Sequence, residues 1–329
     1  MKIDSRINNW LLNLRADKSN SWPDSVRNQA PHKPFLLLSI LDGIEQGWIT
    51  NNEIELSQKL IDTFFVYWNG IMGEDKVTTI ALPFFHMNRE PFWELIYKSG
   101  KEEYKTSPSV GGIHDRIKCA VLQTDLFQLL ENSETRKAVQ LIIIQHYFDS
   151  ETTNKVTELS SFNYDANWYE QQLEQMTESE FVARHSGKGK TRKTIVNKQV
   201  RERSFSNKVR ENYHYSCSVC QSKVRTPTEH YIVEGAHIIP WKESYNDDPR
   251  NGISLCRNHH WLFDKRLLTI RSNYTIKLSP WLKKKINRWD EYQKISDSEI
   301  LLPTDSKYYP AAEALQYHNE EYERVHKDV

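Results

Sequence analysis

Hydrophobic positions recur at helical spacing over much of the first 150 residues. Ile7-Asn-Asn-Trp-Leu-Leu-Asn-Leu14 places its apolar residues on one helical face. Pro34-Phe-Leu-Leu-Leu-Ser-Ile-Leu41 is almost wholly apolar and predicts a buried helix opened by its proline. Ser57 to Trp68 predicts an amphipathic helix with Leu60, Ile61, Phe64, Phe65 and Trp68 together. Thr78 to Phe85 reads as β-prone, and Pro91 to Tyr97 as a second strand. Lys118 to Leu130 and Arg136 to Phe148 read as closing helices.

The pattern changes after about residue 150. Glu151 to Ser161 is polar with few bulky apolar side chains, and Asn167 to Met176 reads as a short helix. Arg184 to Arg210 holds ten Lys or Arg against one acid, Glu202. These features predict a polar and then basic linker over 151–204, between a domain at 1–150 and another at 205–329. The basic stretch has the charge to meet a phosphate backbone. Beyond it, Tyr231 to Ile239 is β-prone, Ile253 to Leu255 forms a second short strand, and Arg257 to Asp264 predicts a helix. Pro310 to Arg324 predicts a proline-started tail helix that packs on this domain. The expected class is α+β: a mixed helix and short-sheet domain followed by a smaller metal-stapled one.

The chain has 329 residues with 44 basic and 44 acidic side chains. A net charge of zero confines any nucleic-acid signal to local stretches. The longest apolar run, at Leu141 to Ile144, is far short of a membrane span. Four cysteines are too few for a disulfide framework in a chain of this length. Three of them sit at metal-ligand spacing, and the expectation is a cytoplasmic protein.

Cys217-Ser-Val-Cys220 is matched by Cys256-Arg-Asn-His259. Two pairs with this spacing supply the tetrahedral donor set of a structural zinc. The loop between them contains His237 and Asn251. On the helix that follows, His259 and His260 point about 100° apart, so they serve different faces. His260 and Asp264, four residues apart, share a face and offer a second, divalent ion an imidazole and a carboxylate. Strand, loop, strand and helix bring His237, Asn251 and His260 together.

His237, Asn251 and His260, with Leu-Cys-x-x-His-His-x-x-Phe-Asp, resemble the HNH nuclease family and its ββα-metal fold. The resemblance covers about residues 200 to 280. It implies that His237 is the general base toward water, that Asn251 orients His237 and ties the loop, and that His260 ligates the catalytic ion, Mg²⁺, Mn²⁺ or another divalent ion, with Asp264 as a second ligand. One departure is Ala236, where many such sites carry Asp or His. Glu234 is a substitute ligand, although strand alternation sets it on the face opposite His237.

Upstream, His32-Lys-Pro-Phe, Leu82-Pro-Phe-Phe-His and Pro91-Phe-Trp-Glu resemble the sulfur-binding domain of McrA-like type IV restriction enzymes, which cut phosphorothioate DNA. The resemblance implies that His32, Lys33, Leu82, Pro83 and His86 read DNA, with Pro83 against the sulfur. Lys33, Leu82 and His86 depart from the family's arginine, tyrosine and small residue. The expected function is a modification-dependent DNA endonuclease acting as a homodimer on double-stranded DNA. Two rivals are a zinc-containing DNA-binding protein that does not cut, and a nuclease directed by a protein partner through its N-terminal domain.

Overall fold

The computed structural model describes residues 3–19, 21–101, 108–175, 197–227, 229–286 and 289–327. It divides into two compact units: Met1–Tyr164 with Pro227–Glu229, and Asp165–Thr226 with His230–Val329. Helices dominate, and the strands form two-stranded antiparallel sheets, an α+β arrangement. Among the described residues no helix is long and apolar enough to cross a membrane.

The first unit is built around α2 (His32–Glu45), buried along nearly its whole length. Pro34 stands in its first turn, where no amide hydrogen is needed for the helix ladder. Before it comes α1 (Ser5–Leu12), opened by the Asp4 side chain accepting from the Arg6 amide. Helix α3 (Gln58–Met72) is capped by Ser57, which accepts from the Leu60 amide, and packs on α2. Burial of Leu60, Ile61, Phe64, Phe65 and Trp68 matches the predicted apolar face.

Residues 78–85 depart from expectation. Instead of a strand they lead into α4 (Ala81–His86), with Ile80, Ala81 and Phe84 buried at helical spacing. The β-branched run Val77-Thr-Thr-Ile80 suggested extension, but Pro83 falls in the first helical turn, where it is tolerated. Strand β1 (Trp93–Tyr97) forms as predicted. After α5 (Val110–Arg116), the segment expected to be one helix from Lys118 opens as β2 (Ile117–Leu122) and turns helical only at α6 (Thr124–Glu131). Pairing with β1, in the register Leu95 with Ala120, overrides the local helical pattern. Helix α7 (Ser133–Tyr147) follows, capped by Asn132.

Much of the range read as linker is helical. Helix α8 spans Ser150–Glu174, and α9 (Lys198–Asn212) begins at Asn197, whose side chain caps it. The docking of α8 in the first unit is partly polar. Asp42 of α2 accepts from the Tyr67 hydroxyl at 2.7 Å, the Ser160 hydroxyl at 2.8 Å and the Asn163 amide at 2.9 Å. Burial pushes the Asp42 carboxyl up to about 7, against those hydrogen bonds. A helix held through such contacts leaves little hydrophobic period to read. The Arg184–Val196 part of the basic stretch lies outside the described residues. Within α9, Arg201 and Lys208 are buried and ion-paired, so these two charges serve the fold.

The second unit centres on β3 (Val233–His237) and β4 (Gly252–Cys256), paired antiparallel with Glu234 opposite Leu255 and His237 opposite Gly252. Helix α9 crosses one face so closely that a Cβ on Gly235 would stand 2.7 Å from Ser206 Cα. One on Gly252 would stand 2.4 Å from Val209 Cγ2. The loop between the strands carries the short α10 (Trp241–Ser244), and α11 (Arg257–Asp264) follows β4. A hairpin of β5 (Leu268–Ile270) and β6 (Ile276–Leu278) comes next, then α12 (Pro280–Lys285) and α13 (Trp289–Gln293). The tail helix α14 (Ala312–Val325) packs on β5, as expected of it.

Candidate metal and hydrolytic centre

Cys217, Cys220, Cys256 and His259 converge. Their donor atoms all lie within 4.8 Å of one another. Cys256 precedes the first turn of α11 and His259 lies one turn on, which brings His259 Nδ1 to 3.2 Å from Cys256 Sγ and 3.4 Å from Cys217 Sγ. Donors about 2.0–2.3 Å from a tetrahedral zinc stand about 3.3–3.8 Å apart, so the set fits that ion. The electrostatics agree. Crowding against the Cys220 and Cys256 sulfurs pushes the Cys217 thiol up, while the Cys217 sulfur drives the Cys220 thiol down. Burial alone would lower the His259 imidazole, yet the Cys220 and Cys256 sulfurs outweigh it and raise it to about 9. Such a pocket concentrates negative charge that a divalent cation neutralises.

His260 faces elsewhere. Its Nδ1 lies 3.0 Å from Glu234 Oε2 and its Nε2 lies 3.6 Å from Asp264 Oδ2. Arg257 Nε approaches the other Glu234 oxygen at 3.4 Å. The Glu234 and Asp264 side chains are 45% and 58% exposed, so this group opens to solvent while the cysteine cluster is largely buried. Strand alternation explains why Glu234 reaches His260. Gly235 faces α9, and the two flanking positions turn to the other side of β3, with Ala236 buried there. Glu234 bonds the ring nitrogen remote from Asp264. A carboxylate on Nδ1 fixes a histidine for ligation through Nε2, and the Nε2–Asp264 gap suits a shared divalent ion.

His237 stands on the α9 side. Its ring stacks on Phe205, with centroids 3.7 Å apart and planes within 8°. Its Nε2 lies 2.8 Å from Asp247 Oδ1. Asn251 is fully buried and bonds only loop backbone: it accepts from the Ile239 amide at 2.9 Å and donates to the Ile239 and Asn246 carbonyls at 3.0 and 3.1 Å. The Asn251 side chain thus meets the backbone of the loop, and the side chain that meets the His237 ring is that of Asp247. Glu234 and His237 are three residues apart on β3, about 10 Å along the strand.

Sequence reasoning missed Asp247, Phe205, Arg201 and Tyr169. Asp247-Asp248 is visible as two acids in the loop between His237 and Asn251, which marks one of them as a partner without saying which. Phe205, Arg201 and Tyr169 come from helices more than 30 residues upstream and carry no local signal.

In the first unit, His32 and Lys33 open α2, while Pro83 and His86 lie on α4, which packs against it. The His32 ring sits beside Trp22 and Trp68, with Nε2 2.9 Å from the Thr78 hydroxyl, and burial pushes it down to about 4. The Lys33 ammonium pairs with the Glu90 carboxylate, and both side chains are buried. Leu82 is exposed and Pro83 buried. Burial, with the nearby charges of Arg89 and Lys33, lowers the His86 imidazole. The Lys33 charge is thus paired inside the unit.

Residues 217–271 match the model of a family described as HNH endonuclease. No protein among those with curated functions matches the chain. Among solved structures, the chain is similar to a modification-dependent TagI restriction endonuclease at 21% identity and a TM-score of 0.29, over 38% of this chain. The chain spans 40% of that protein's length. It is also similar to the type IV phosphorothioation-dependent restriction endonuclease ScoMcrA, at 11% identity and a TM-score of 0.32, over 98% of this chain and 87% of the other. With its cysteine cluster and its His237, Asn251 and His260 in hairpin and helix, segment 217–271 is an HNH endonuclease domain.

Proposed function

We propose that this chain is a type IV restriction endonuclease that hydrolyses the phosphodiester backbone of modified DNA, phosphorothioate DNA being the substrate its N-terminal segments favour. The observation that carries the hydrolytic part is the division of α11. His259 faces three cysteines, and His260, its neighbour in the chain, faces the solvent-accessible carboxylates Glu234 and Asp264.

His260 and Asp264 would hold a divalent ion, which when bound would supply positive charge to the crowded phosphate oxygens and the leaving 3′ oxygen. His237 accepts a proton from water as the water oxygen bonds to phosphorus. The phosphorus–O3′ bond breaks and the 3′ oxygen takes up a proton from solvent. Glu234 holds the His260 ring by its Nδ1–H. Asn251 keeps the loop closed behind the base. Each site cuts one strand, so a double-strand break needs two visits or, in our reading, a homodimer.

The reading extends to the first unit through His32, Lys33, Leu82, Pro83 and His86, as the segments that would select the modification. Leu82, which is exposed, supplies apolar surface of the kind a soft, weakly hydrated sulfur prefers over a plain phosphate oxygen. The test is a cleavage panel with the full chain on phosphorothioate, methylated, hydroxymethylated and plain duplexes, with Mg²⁺, Mn²⁺ or EDTA. The expected result is ion-dependent cleavage of the phosphorothioate duplex and none in EDTA. Cleavage restricted to a methylated duplex would replace the sulfur reading. Intact DNA throughout, with tight binding, would favour a zinc-containing DNA-binding protein, a reading kept alive by Ala236 before the base.

A further inference from the structure

We infer that Asp247 is the positioning residue for His237, fixing which ring nitrogen of the base carries the proton. This deepens the reading of His237 as general base and rests on it. Asp247 Oδ1, 2.8 Å from His237 Nε2, also accepts from Arg201 Nη1 at 2.8 Å. Oδ2 accepts from the Tyr169 hydroxyl at 3.0 Å. A carboxylate paired with a guanidinium offers lone pairs and no proton, so Nε2 of His237 must donate to it. The lone pair of the neutral ring then resides on Nδ1, the nitrogen left to meet a water.

The surroundings hold this arrangement in place. The Asp247 side chain is 2% exposed and Arg201 9%, against 18% for His237, so the carboxylate is sealed while the imidazole stays accessible. Phe205 stacks on the imidazole and restrains its tilt. The Arg201 guanidinium lies over the Trp241 ring at 3.8 Å, which fixes the cation from its other side. When His237 takes the water's proton, the same carboxylate stabilises the resulting imidazolium.

A purely structural role for Asp247, closing the loop, is already filled. Asn251 bonds Ile239 and Asn246, and Asp248 accepts from the Arg250 amide at 2.9 Å and pairs with its guanidinium at 2.7 Å. Asp247 instead reaches out of the loop, with its oxygens on the His237, Arg201 and Tyr169 side chains.

The test uses the full chain with ¹⁵N-labelled histidine, together with single-turnover cleavage and DNA affinity. We expect His237 in the Nε2–H tautomer in the wild type. In Asp247→Asn the amide can donate to the ring and move the proton to Nδ1. Cleavage should then fall about a hundredfold or more, with DNA affinity within about twofold. Tyr169→Phe removes one hydrogen bond from the carboxylate and should slow cleavage about fivefold. An Nδ1–H tautomer in the wild type, or wild-type cleavage by a folded Asp247→Asn, overturns the inference. Should Asp247→Asn lose its circular dichroism, Tyr169→Phe decides, and unchanged cleavage by it counts against. A wild type that cuts no DNA would sink the nuclease reading, whereas the histidine spectrum would still report on the Asp247 pairing.

Discussion

His237→Ala should lower the rate of DNA cleavage by about a thousandfold or more while leaving the fold and DNA affinity in place. The argument is local. The His237 side chain is 18% exposed and stacks on Phe205, so its removal leaves a shallow gap at the edge of the core. Backbone pairing of β3 with β4 does not need the imidazole, and His237 lies at the end of the ladder opposite Gly252. The loop remains closed through Asn251. What disappears is the group proposed to take the water's proton. Single-turnover cleavage beside a gel-shift titration measures the two effects separately. Equal losses in binding and cleavage would assign His237 to DNA recognition, and unchanged cleavage would remove it from the chemistry.

The second large effect is structural. Cys256→Ser, or extraction of the metal by a strong chelator, should unfold the second unit. Structural zinc contributes about 10–16 kcal/mol of apparent binding free energy in small domains, comparable with or above the about 5–15 kcal/mol that holds a typical domain together. Here the cluster joins Cys217 to His259 across 42 positions and fixes β4 to α11 at Cys256. Loss of one thiolate leaves three donors and an unneutralised set of sulfurs. The first unit has its own core around α2, α3 and α7 and should keep its melting transition. Calorimetry of the full chain should therefore lose one transition and retain the other. A Cys256→Ser variant with both transitions at wild-type temperature would show that the four residues are not a zinc staple.

The cluster of three cysteines and His259 was legible because metal geometry dictates ligand spacing, and spacing survives in a sequence. Cys217, Cys220, Cys256 and His259 meet as their pattern requires. The helical turn that separates His259 from His260 follows from the 100° step alone. The α+β class and the helices at α2, α3 and α7 were legible from burial period.

Other features were not legible, for physical reasons that differ. Residues 78–85 carry a β-branched run that favours extension, but Ile80, Ala81 and Phe84 find a helical burial pattern against α2. Residues 150–164 dock in part through Ser160 and Asn163 on the buried Asp42, contacts with no apolar period. Asp247 and Asp248 are adjacent acids of one loop, and only the folded backbone turns one to His237 and the other to Arg250. Glu234 was legible as a substitute ligand, but one whose alternation away from His237 made its reach doubtful. That alternation is what brings it to His260.

In the proposed mechanism, neighbouring histidines on α11 serve different ions. The most direct measurement is zinc content and DNA cleavage of His260→Ala in the same preparation. The expected result is zinc retained at the wild-type ratio, a wild-type melting curve for the second unit, and cleavage lost. Zinc lost along with cleavage, or cleavage retained, would contradict it.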